Sequence, residues 1–140
     1  MPKSFDILVV DDSPSDGDIF QAALQEAAPG VTAHWVDSGE KAIRYLNGNN
    51  GKGCPVRLVF LDWNMPLLNG WETLRQIREG PNGKVVPIVL LSSACGKADV
   101  KRAYQSGANA YFKKPMSFDE YIDRLRMLVN HWLRFAELPD

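Results

Sequence analysis

The chain has 140 residues, 45% of them hydrophobic and 24% charged, and its formal net charge is −1. This length suits one domain with a sizeable core, and the balanced charge gives no reason to expect nucleic acid or an anionic membrane as a partner. No apolar stretch approaches the roughly 20 residues of a membrane-spanning helix, and the first residues lack the apolar region of a signal peptide. Two cysteines are too few for a disulfide framework, so we expect a cytoplasmic protein with reduced thiols.

Short apolar runs alternate with segments of helical periodicity along the chain. Ser13 and Pro14 favour a helix start directly after the first run, because serine caps a helix and proline suits its first turn. Ser38 is expected to cap the second helix and Ser117 the fifth, and the third helix follows Gly70. The expected strands are Ile7–Val10, Val31–Val36, Leu58–Leu61, Ile88–Leu91 and the weaker Ala110–Phe112, and the fourth helix is expected at Lys97–Ser106.

This order of elements predicts an α/β fold, a five-stranded parallel sheet with helices on both faces. Continuous apolar strands are typical of parallel sheets that are buried on both faces, and right-handed crossovers place helices on both sides. In such sheets ligands bind at the carboxyl ends of the strands, near the switch in strand order. The residues that follow each strand are therefore the candidates for a functional site.

Charged and hydroxyl side chains follow four of the five predicted strands. Asp11 and Asp12 end the first run, Asp62 the third and Ser92 the fourth, and Lys114 follows the fifth. If all strands are parallel, these groups converge at one edge, where three carboxylates repel one another unless a cation joins them. An oxygen-only, carboxylate-rich site suits Mg²⁺, which keeps several of its waters. The pattern therefore predicts a magnesium site beside a hydroxyl and an ammonium group.

In order and spacing these residues resemble the receiver domain of two-component response regulators. The resemblance covers roughly residues 5–130, and "DWNMP" at 62–66 is similar to the corresponding loop of chemotaxis-type receivers. It implies the (βα)₅ flavodoxin-like receiver fold, as a single receiver domain over residues 1–140 with a C-terminal extension at 131–140 and no output domain. It also implies a sensor histidine kinase as partner and signalling through protein contacts.

The resemblance also assigns a role to each residue of the site. Asp62 would be the phosphoacceptor, and Lys114 would pair with a phosphoryl oxygen. Asp12 would ligate Mg²⁺ directly, together with Asp62 and the backbone carbonyl of Asn64, while Asp11 would act through metal-bound water. Because the transferred phosphoryl group carries negative charge, positioned positive charge lowers the barrier to its transfer.

The resemblance assigns a switch role to Ser92 and Tyr111. Ser92 would bond the phosphoryl group, and Tyr111 would turn into the space that Ser92 vacates. The resemblance further implies a cis peptide between Lys114 and Pro115, although the sequence alone does not distinguish cis from trans. Trp63, next to the phosphoacceptor, is expected to be partly exposed and to serve as a fluorescence reporter.

Each of these residues also has an ordinary structural explanation. Asp11 and Asp12 are acceptable helix caps, Asp62 and Ser92 are common turn residues, and Tyr111 is a common half-buried strand aromatic. The joint occurrence of Asp11, Asp12, Asp62 and Lys114 in register favours the functional explanation of the acids over the structural one.

The C-terminal segment continues beyond the length of a minimal receiver. Residues 127–140 read "MLVNHWLRFAELPD" and carry Trp132, Leu133, Phe135 and Leu138, more apolar residues than one buried helix face needs. Either this segment folds back on its own domain or it forms an exposed patch that a partner covers. It resembles the ending of phytochrome-associated single-domain response regulators, which implies a homodimer through the fifth helix and a bacterial phytochrome as the kinase.

These features predict a single-domain response regulator rather than an enzyme, although the chain would assist its own phosphorylation and dephosphorylation at Asp62. One alternative is an interaction module that has lost phosphorylation, which the complete site argues against. Another is a phosphatase or phosphotransferase that forms an aspartyl-phosphate, but such enzymes carry an acid two residues past the nucleophile, where this chain has Asn64. A flavodoxin-like electron carrier would need a hydroxyl- and glycine-rich loop after the first strand, where "DDSPSDGD" is acidic.

Overall fold

The computed structural model describes residues 5–48 and 53–139, in which five strands alternate with five α-helices. In chain order they are β1 Ile7–Val10, α1 Pro14–Ala27, β2 Ala33–Val36, α2 Gly39–Asn47, β3 Leu58–Asp62, α3 Gly70–Glu79, β4 Ile88–Ser92, α4 Lys97–Gln105, β5 Ala110–Lys113 and α5 Phe118–Val129, with a π-helical segment at Asn130–Phe135 directly after α5. The predicted α/β class and order of elements are confirmed. Strands β3, β4 and β5 each extend one residue beyond the predicted run, and β2 begins two residues later.

The five strands form one parallel sheet in the order β2-β1-β3-β4-β5. Val10, the last residue of β1, is level with Leu61 of β3, and Leu61 is level with Leu90 of β4. The chain moves to one side of β1 to build β2 and to the other side to build β3. The carboxyl ends of β1 and β3 therefore form the switch point at which open α/β sheets bind ligands.

Four helices begin with a side-chain cap that fixes the loop before them. The side-chain oxygens of Ser13, Ser38, Asn69 and Ser117 each accept a hydrogen bond from the backbone N–H three residues further on. The three serine caps were predicted from the sequence and are confirmed. Helix α4 follows Gly96 and begins without such a bond.

Hydrophobic side chains fill both faces of the sheet, because alternate residues of each strand point to opposite faces. On one face α1 and α5 bury the ring of Phe20, which packs edge-on against Phe60 at 5.0 Å and against Tyr121 at 6.0 Å between centroids. On the other face Leu46 of α2 and Leu74 of α3 are buried against the strands. The sheet is thus covered on both sides, as its continuous apolar strands predict.

A half-buried arginine joins α3 to the segments that precede β4 and β5. The Arg78 guanidinium donates hydrogen bonds of 2.6–3.0 Å to the carbonyl oxygens of Gly83, Val86 and Gly107, and one of 2.8 Å to Oδ1 of Asn109. Burial lowers the pKa of Arg78 from its ordinary value, because the charged group has lost water. Neutral oxygens, rather than a carboxylate, compensate this charge within the described residues.

The peptide bond between Lys114 and Pro115 is trans, like every other peptide bond of the described residues. The cis form implied by the family resemblance is therefore wrong for this structure. Trans is the favoured form even before proline, and the N–H of Lys114 donates to the carbonyl of Ser92 at 2.7 Å. The hydrogen-bond ladder between β4 and β5 thus continues up to the proline.

Part of the C-terminal segment packs on its own domain and part of it stays exposed. Trp132 and Leu133 pack against the core on the α1/α5 face, and Leu138 lines a cavity at the amino end of the sheet. Met127 and Phe135, by contrast, are 60% and 78% exposed. No helix in the described ranges, α5 with its extension included, is long and apolar enough to cross a membrane.

We expect Arg78→Met to lower the free energy of unfolding by about 2–4 kcal/mol, because three carbonyl oxygens lose their donors while most of the aliphatic packing is kept. Urea unfolding followed by circular dichroism measures this change. Arg44→Met on the exposed side of α2 is the matched control and should stay within about 0.5 kcal/mol of wild type. Equal stability of the two variants would contradict the role assigned to Arg78.

Candidate functional site

Three carboxylates meet at the switch point between β1 and β3. Side-chain oxygens of Asp11, Asp12 and Asp62 all lie within 4.8 Å of one another. Asp11 and Asp62 are only 6% and 5% exposed, whereas Asp12 faces solvent. The convergence follows from the sheet, since β1 and β3 are adjacent, parallel and in register at their carboxyl ends. We call these three residues the acid trio.

The ammonium of Lys114 closes the site from the β5 side. Its Nζ lies 2.9 Å from Oδ2 of Asp11, 3.0 Å from Oδ2 of Asp16 and 3.6 Å from Oδ2 of Asp62. Burial alone would lower the pKa of Lys114, but the hydrogen bond to Asp11 and the negative charges of Asp62 and Asp11 raise it above its usual value. The side chain therefore stays charged beside the acid trio.

The sequence pattern did not single out Asp16. Its backbone N–H donates to Oγ of Ser13 at 3.3 Å, which places it in the first turn of α1. Acids are common in a first helical turn because they complement the helix dipole, so this position carries no signal of its own. Only the contact with Lys114, 98 residues away in the chain, identifies Asp16 as part of the site.

Burial raises the pKa of the Asp62 carboxyl from 3.8 to about 6. The positive charge of Lys114 lowers it and the negative charges of Asp11 and Asp12 raise it. A hydrogen bond of 3.2 Å from the N–H of Asn64 to Oδ1 of Asp62 lowers it further. Because burial and like charges outweigh these compensations, an ionised Asp62 is costly here without a further cation.

An indole and a helix cap hold the loop that carries Asp11. Oδ1 of Asp11 accepts a hydrogen bond from the N–H of Ser13, and its backbone carbonyl accepts one from Nε1 of Trp35, both at 3.0 Å. Gly17 of α1 lies so close to this indole that an added Cβ would be 2.7 Å from Nε1. Sequence reasoning missed Trp35, because a strand aromatic normally indicates core packing alone. The acidic loop therefore depends on β2 as well as on β1.

Ser92 and Tyr111 meet at one backbone carbonyl. Ser92 is fully buried whereas Ser93 is exposed, and the Oγ of Ser92 contacts the carbonyl of Ala94 and, at 2.9 Å, Oδ1 of Asn64. The Tyr111 hydroxyl lies 3.4 Å from the same Ala94 carbonyl. The structure thus brings the two candidate switch residues to a shared acceptor.

Trp63 is only 6% exposed, so the expectation of a partly exposed reporter is wrong. Its side chain belongs to the core on the α2/α3 side of the sheet, and its ring lies edge-on to that of Tyr111 with 5.5 Å between centroids. Burial follows from strand alternation, because Trp63 continues β3 by one residue and points away from the side of Asp62.

The donor set of the acid trio fits a hard divalent cation. Its ligand atoms are carboxylate oxygens, with no histidine or cysteine in the group found among the described residues. Such oxygen sites suit Mg²⁺, Mn²⁺ or Ca²⁺ rather than the softer transition metals. The exposed carboxylate of Asp12 leaves one side of the trio open to a partly hydrated ion.

Comparison with known proteins identifies one family over most of the chain. The family model described as "Response regulator receiver domain" matches residues 7–126. The chain is 33% identical over 129 residues to the two-component response regulator ARR15 of Arabidopsis thaliana, covering 88% of this chain and 61% of that protein. It is 29% identical over 136 residues to the probable methanogenesis regulatory protein FilR2 of Methanothrix harundinacea, covering 96% of this chain and 88% of that protein. The chain thus spans about three fifths of the plant relative.

Among solved structures, the chain is similar to the phosphorylated cyanobacterial phytochrome response regulator RcpA, with a TM-score of 0.86 and 27% identity over 100% of both chains. Response regulator RPA3017, in red light signalling of R. palustris, gives a TM-score of 0.85 and 28% identity over 100% of this chain and 99% of that one. The Mn²⁺-bound form of response regulator Rcp1 gives a TM-score of 0.81 and 26% identity, over 96% of this chain and 98% of that one. With the family model covering most of its length, the chain belongs to the response regulator receiver domain family.

Proposed function

We propose that this chain is a single-domain response regulator in a two-component phosphorelay. Asp62 accepts a phosphoryl group from a sensor histidine kinase in the presence of Mg²⁺, and the resulting aspartyl phosphate switches protein–protein contacts. The observation that carries the proposal is that Asp11, Asp12 and Lys114 converge on the buried carboxylate of Asp62. The single receiver domain, with its core over about residues 5–130 and its extension after it, is part of this proposal and is supported by the one continuous sheet.

The acid trio and one backbone group hold the metal ion in this proposal. Asp12 and Asp62 bind Mg²⁺ directly, the backbone carbonyl of Asn64 is a further ligand, and Asp11 acts through metal-bound water. The exposure of Asp12 supports a direct role, since Mg²⁺ gives up its waters reluctantly and binds at open positions. The 2.9 Å bond from Lys114 to Asp11 supports an indirect role for Asp11. The bound ion supplies positive charge beside the attacking carboxylate.

Phosphoryl transfer is an in-line displacement at phosphorus. A carboxylate oxygen of Asp62 forms the new bond to phosphorus while the phosphorus–nitrogen bond of the kinase phosphohistidine breaks, and its electron pair stays on the imidazole. Lys114, whose Nζ is 3.6 Å from Oδ2 of Asp62, donates to a phosphoryl oxygen. Since nucleophile and phosphoryl group are both negative, catalysis consists mainly of positioning and charge compensation.

Ser92 and Tyr111 convert the new charge into a change of surface. The Oγ of Ser92 leaves the Ala94 carbonyl and donates to a phosphoryl oxygen, because a charged acceptor forms the stronger hydrogen bond. Once Ser92 has moved away from the Ala94 carbonyl that it shares with Tyr111, the Tyr111 ring turns inward beside Trp63. A local electrostatic change thereby biases a two-state element.

The chemistry at Asn64 supports a regulator over a phosphatase or phosphotransferase. An amide stands where those enzymes need an acid, so the chain assists its own phosphorylation and dephosphorylation without turning over a separate substrate. The charge cost at Asp62 argues against a purely structural module, because burying an uncompensated carboxylate brings no gain in stability.

A bacterial phytochrome is the proposed kinase. Support comes from two similar structures, one described as a cyanobacterial phytochrome response regulator and one as a red-light response regulator, each of which this chain covers completely or nearly so. Those descriptions apply to the two similar proteins. For this chain, a phytochrome kinase is proposed because its fold and length match theirs.

A homodimer through α5 and its extension is the proposed assembly. Met127 and Phe135 are large apolar residues that remain exposed, and Trp132 between them is only partly covered by the core. Large apolar side chains that stay exposed near a helix end are candidates for burial at an interface. Leu138 and Pro139 line the cavity at the amino end of the sheet, and Met127 and Phe135 remain exposed.

We expect acetyl phosphate with Mg²⁺ to add one phosphoryl group to the wild type, and Asp62→Asn to abolish this addition because the nucleophile is lost. Intact-protein mass spectrometry followed by peptide mapping measures it. Asp18→Asn on the exposed side of α1 removes the same charge and should leave the modification unchanged. An unmodified wild type, or modification persisting at another residue in Asp62→Asn, would reject the assignment.

We expect Asp62→Asn to raise the free energy of unfolding by about 1–2 kcal/mol at pH 8 without divalent cations. The pKa of Asp62 is about 6 in the folded chain, against 3.8 for an unperturbed carboxyl as in the unfolded chain. The folded carboxyl therefore stays protonated up to a higher pH, and the free energy of unfolding falls as the pH rises from 3.8 to about 6. Below pH 3.8 both states are protonated and the advantage of the variant should vanish. Urea unfolding across pH measures both; a variant less stable than wild type at pH 8 would show that the attraction of Lys114 outweighs burial.

We expect Phe135→Glu to weaken self-association by about tenfold or more, because the proposed interface loses a large apolar side chain and the new charge must be desolvated. Sedimentation equilibrium over a concentration series measures the dissociation constant. Leu67→Glu is the control, since Leu67 is 94% exposed and lies in the loop between β3 and α3, at the opposite edge of the sheet from the end of α5. A monomeric wild type, or equal effects of the two variants, would contradict the proposed interface.

A further inference from the structure

Asp16 has no part in the mechanism above, yet it contacts Lys114 as closely as Asp11 does. Its Oδ2 is 3.0 Å from Nζ of Lys114, against 2.9 Å for Oδ2 of Asp11. The Lys114 side chain is 19% exposed and that of Asp16 is 42% exposed. The pair is therefore partly shielded from water, which makes it stronger than an ion pair on an open surface.

The position of Asp16 follows from the start of α1. The Ser13 cap fixes the first turn, and Oγ of Ser13 accepts from the N–H of Asp16 itself. Asp16 thus approaches Lys114 from the helix, whereas Asp11 and Asp62 approach it from the sheet. An ammonium group has three donors, and here two of them are used by hydrogen bonds to Asp11 and Asp16, while Oδ2 of Asp62 lies 3.6 Å away.

Binding of a cation to the acid trio changes the charges around Lys114. A cation bound by the trio draws on the charge of Asp11 and Asp62, and it also repels the ammonium. Asp16 lies outside the group of ligand-competent acids found among the described residues, so its charge stays with Lys114. Without it the ammonium would face a divalent cation with its two sheet partners already engaged.

We propose that Asp16 is a positioning residue that acts through Lys114: it is the counter-ion that keeps the ammonium beside Asp62 while a cation occupies the acid trio. This inference rests on the proposed function. In the structure the doubly held Nζ lies 3.6 Å from Oδ2 of Asp62, which is where a phosphoryl oxygen on that carboxylate would need a donor. Asp16 therefore holds Lys114 in its working place instead of drawing it away.

The ordinary alternative is that Asp16 only stabilises α1 through the helix dipole. Asp18 provides the matched control, because it lies on the same helix two residues later and is exposed. No ion pair of Asp18 is found among residues 5–48 and 53–139, and Asp18→Asn changes the net charge as Asp16→Asn does. A role that depends on Lys114 also disappears when Lys114 is replaced, whereas a helix-dipole role does not.

The test is a comparison of Asp16→Asn and Asp18→Asn, each in the wild-type chain and in a Lys114→Met chain. Isothermal titration calorimetry gives the Mg²⁺ dissociation constant, and urea unfolding shows that each variant is folded. We expect Asp16→Asn to weaken Mg²⁺ binding by about threefold to fivefold in the wild-type chain and Asp18→Asn by less than about twofold. In the Lys114→Met chain the two substitutions should have equal effects, and Asp16→Glu should restore most of the wild-type affinity.

Phosphorylation by acetyl phosphate at saturating Mg²⁺ provides the second readout. Asp16→Asn should slow it by about threefold to fivefold while Asp18→Asn leaves it unchanged, because only the former loosens Lys114. Equal effects of Asp16→Asn with and without Lys114, or no effect of Asp16→Asn at all, would overturn the inference alone. A wild-type chain that binds no Mg²⁺ and takes up no phosphoryl group would overturn the proposed function and this inference with it.

Discussion

The burial of two neighbouring carboxylates, Asp11 and Asp62, is the constraint on which the rest of the site depends. Both lie at the carboxyl edge of adjacent strands with less than a tenth of their surface exposed. Burial raises the pKa of Asp62, and the raised pKa of Lys114 reflects the other side of the same charge balance. Because the negative charge of these carboxylates is only partly neutralised, the site responds strongly to an added cation or phosphoryl group. Such a response is what a conformational switch driven by local charge requires.

The sheet connects this charge balance to two separate surfaces. On the β4/β5 side, Ser92 and Tyr111 share the Ala94 carbonyl, so a hydroxyl drawn toward the site alters the surroundings of an aromatic ring near solvent. On the opposite face, α1 packs against α5 and carries Asp16 to Lys114. The charged site therefore has polar contacts on both sides of the sheet.

Much of the fold and of the site could be predicted from the sequence because the signals are local. Continuous apolar runs identify buried strands, and serine or proline at the next residues identifies the helix starts. Once parallel strands are inferred, Asp11, Asp12 and Asp62 must share one edge, since carboxyl ends of parallel strands lie together. Lys114 and Ser92 could be placed by the same argument, without any knowledge of side-chain packing.

The sequence by itself therefore determined the α/β class, the order of its elements and the acidic edge of the sheet, because these depend on periodicity and chain order. Only the tertiary structure decided which side chains touch: Asp16 meets Lys114 across 98 residues, and Trp35 holds the carbonyl of Asp11 across 24. The burial of Trp63 likewise became clear only from the tertiary structure. Such contacts depend on strand register and on the packing of helices against the sheet, and neither leaves a periodic trace in the sequence.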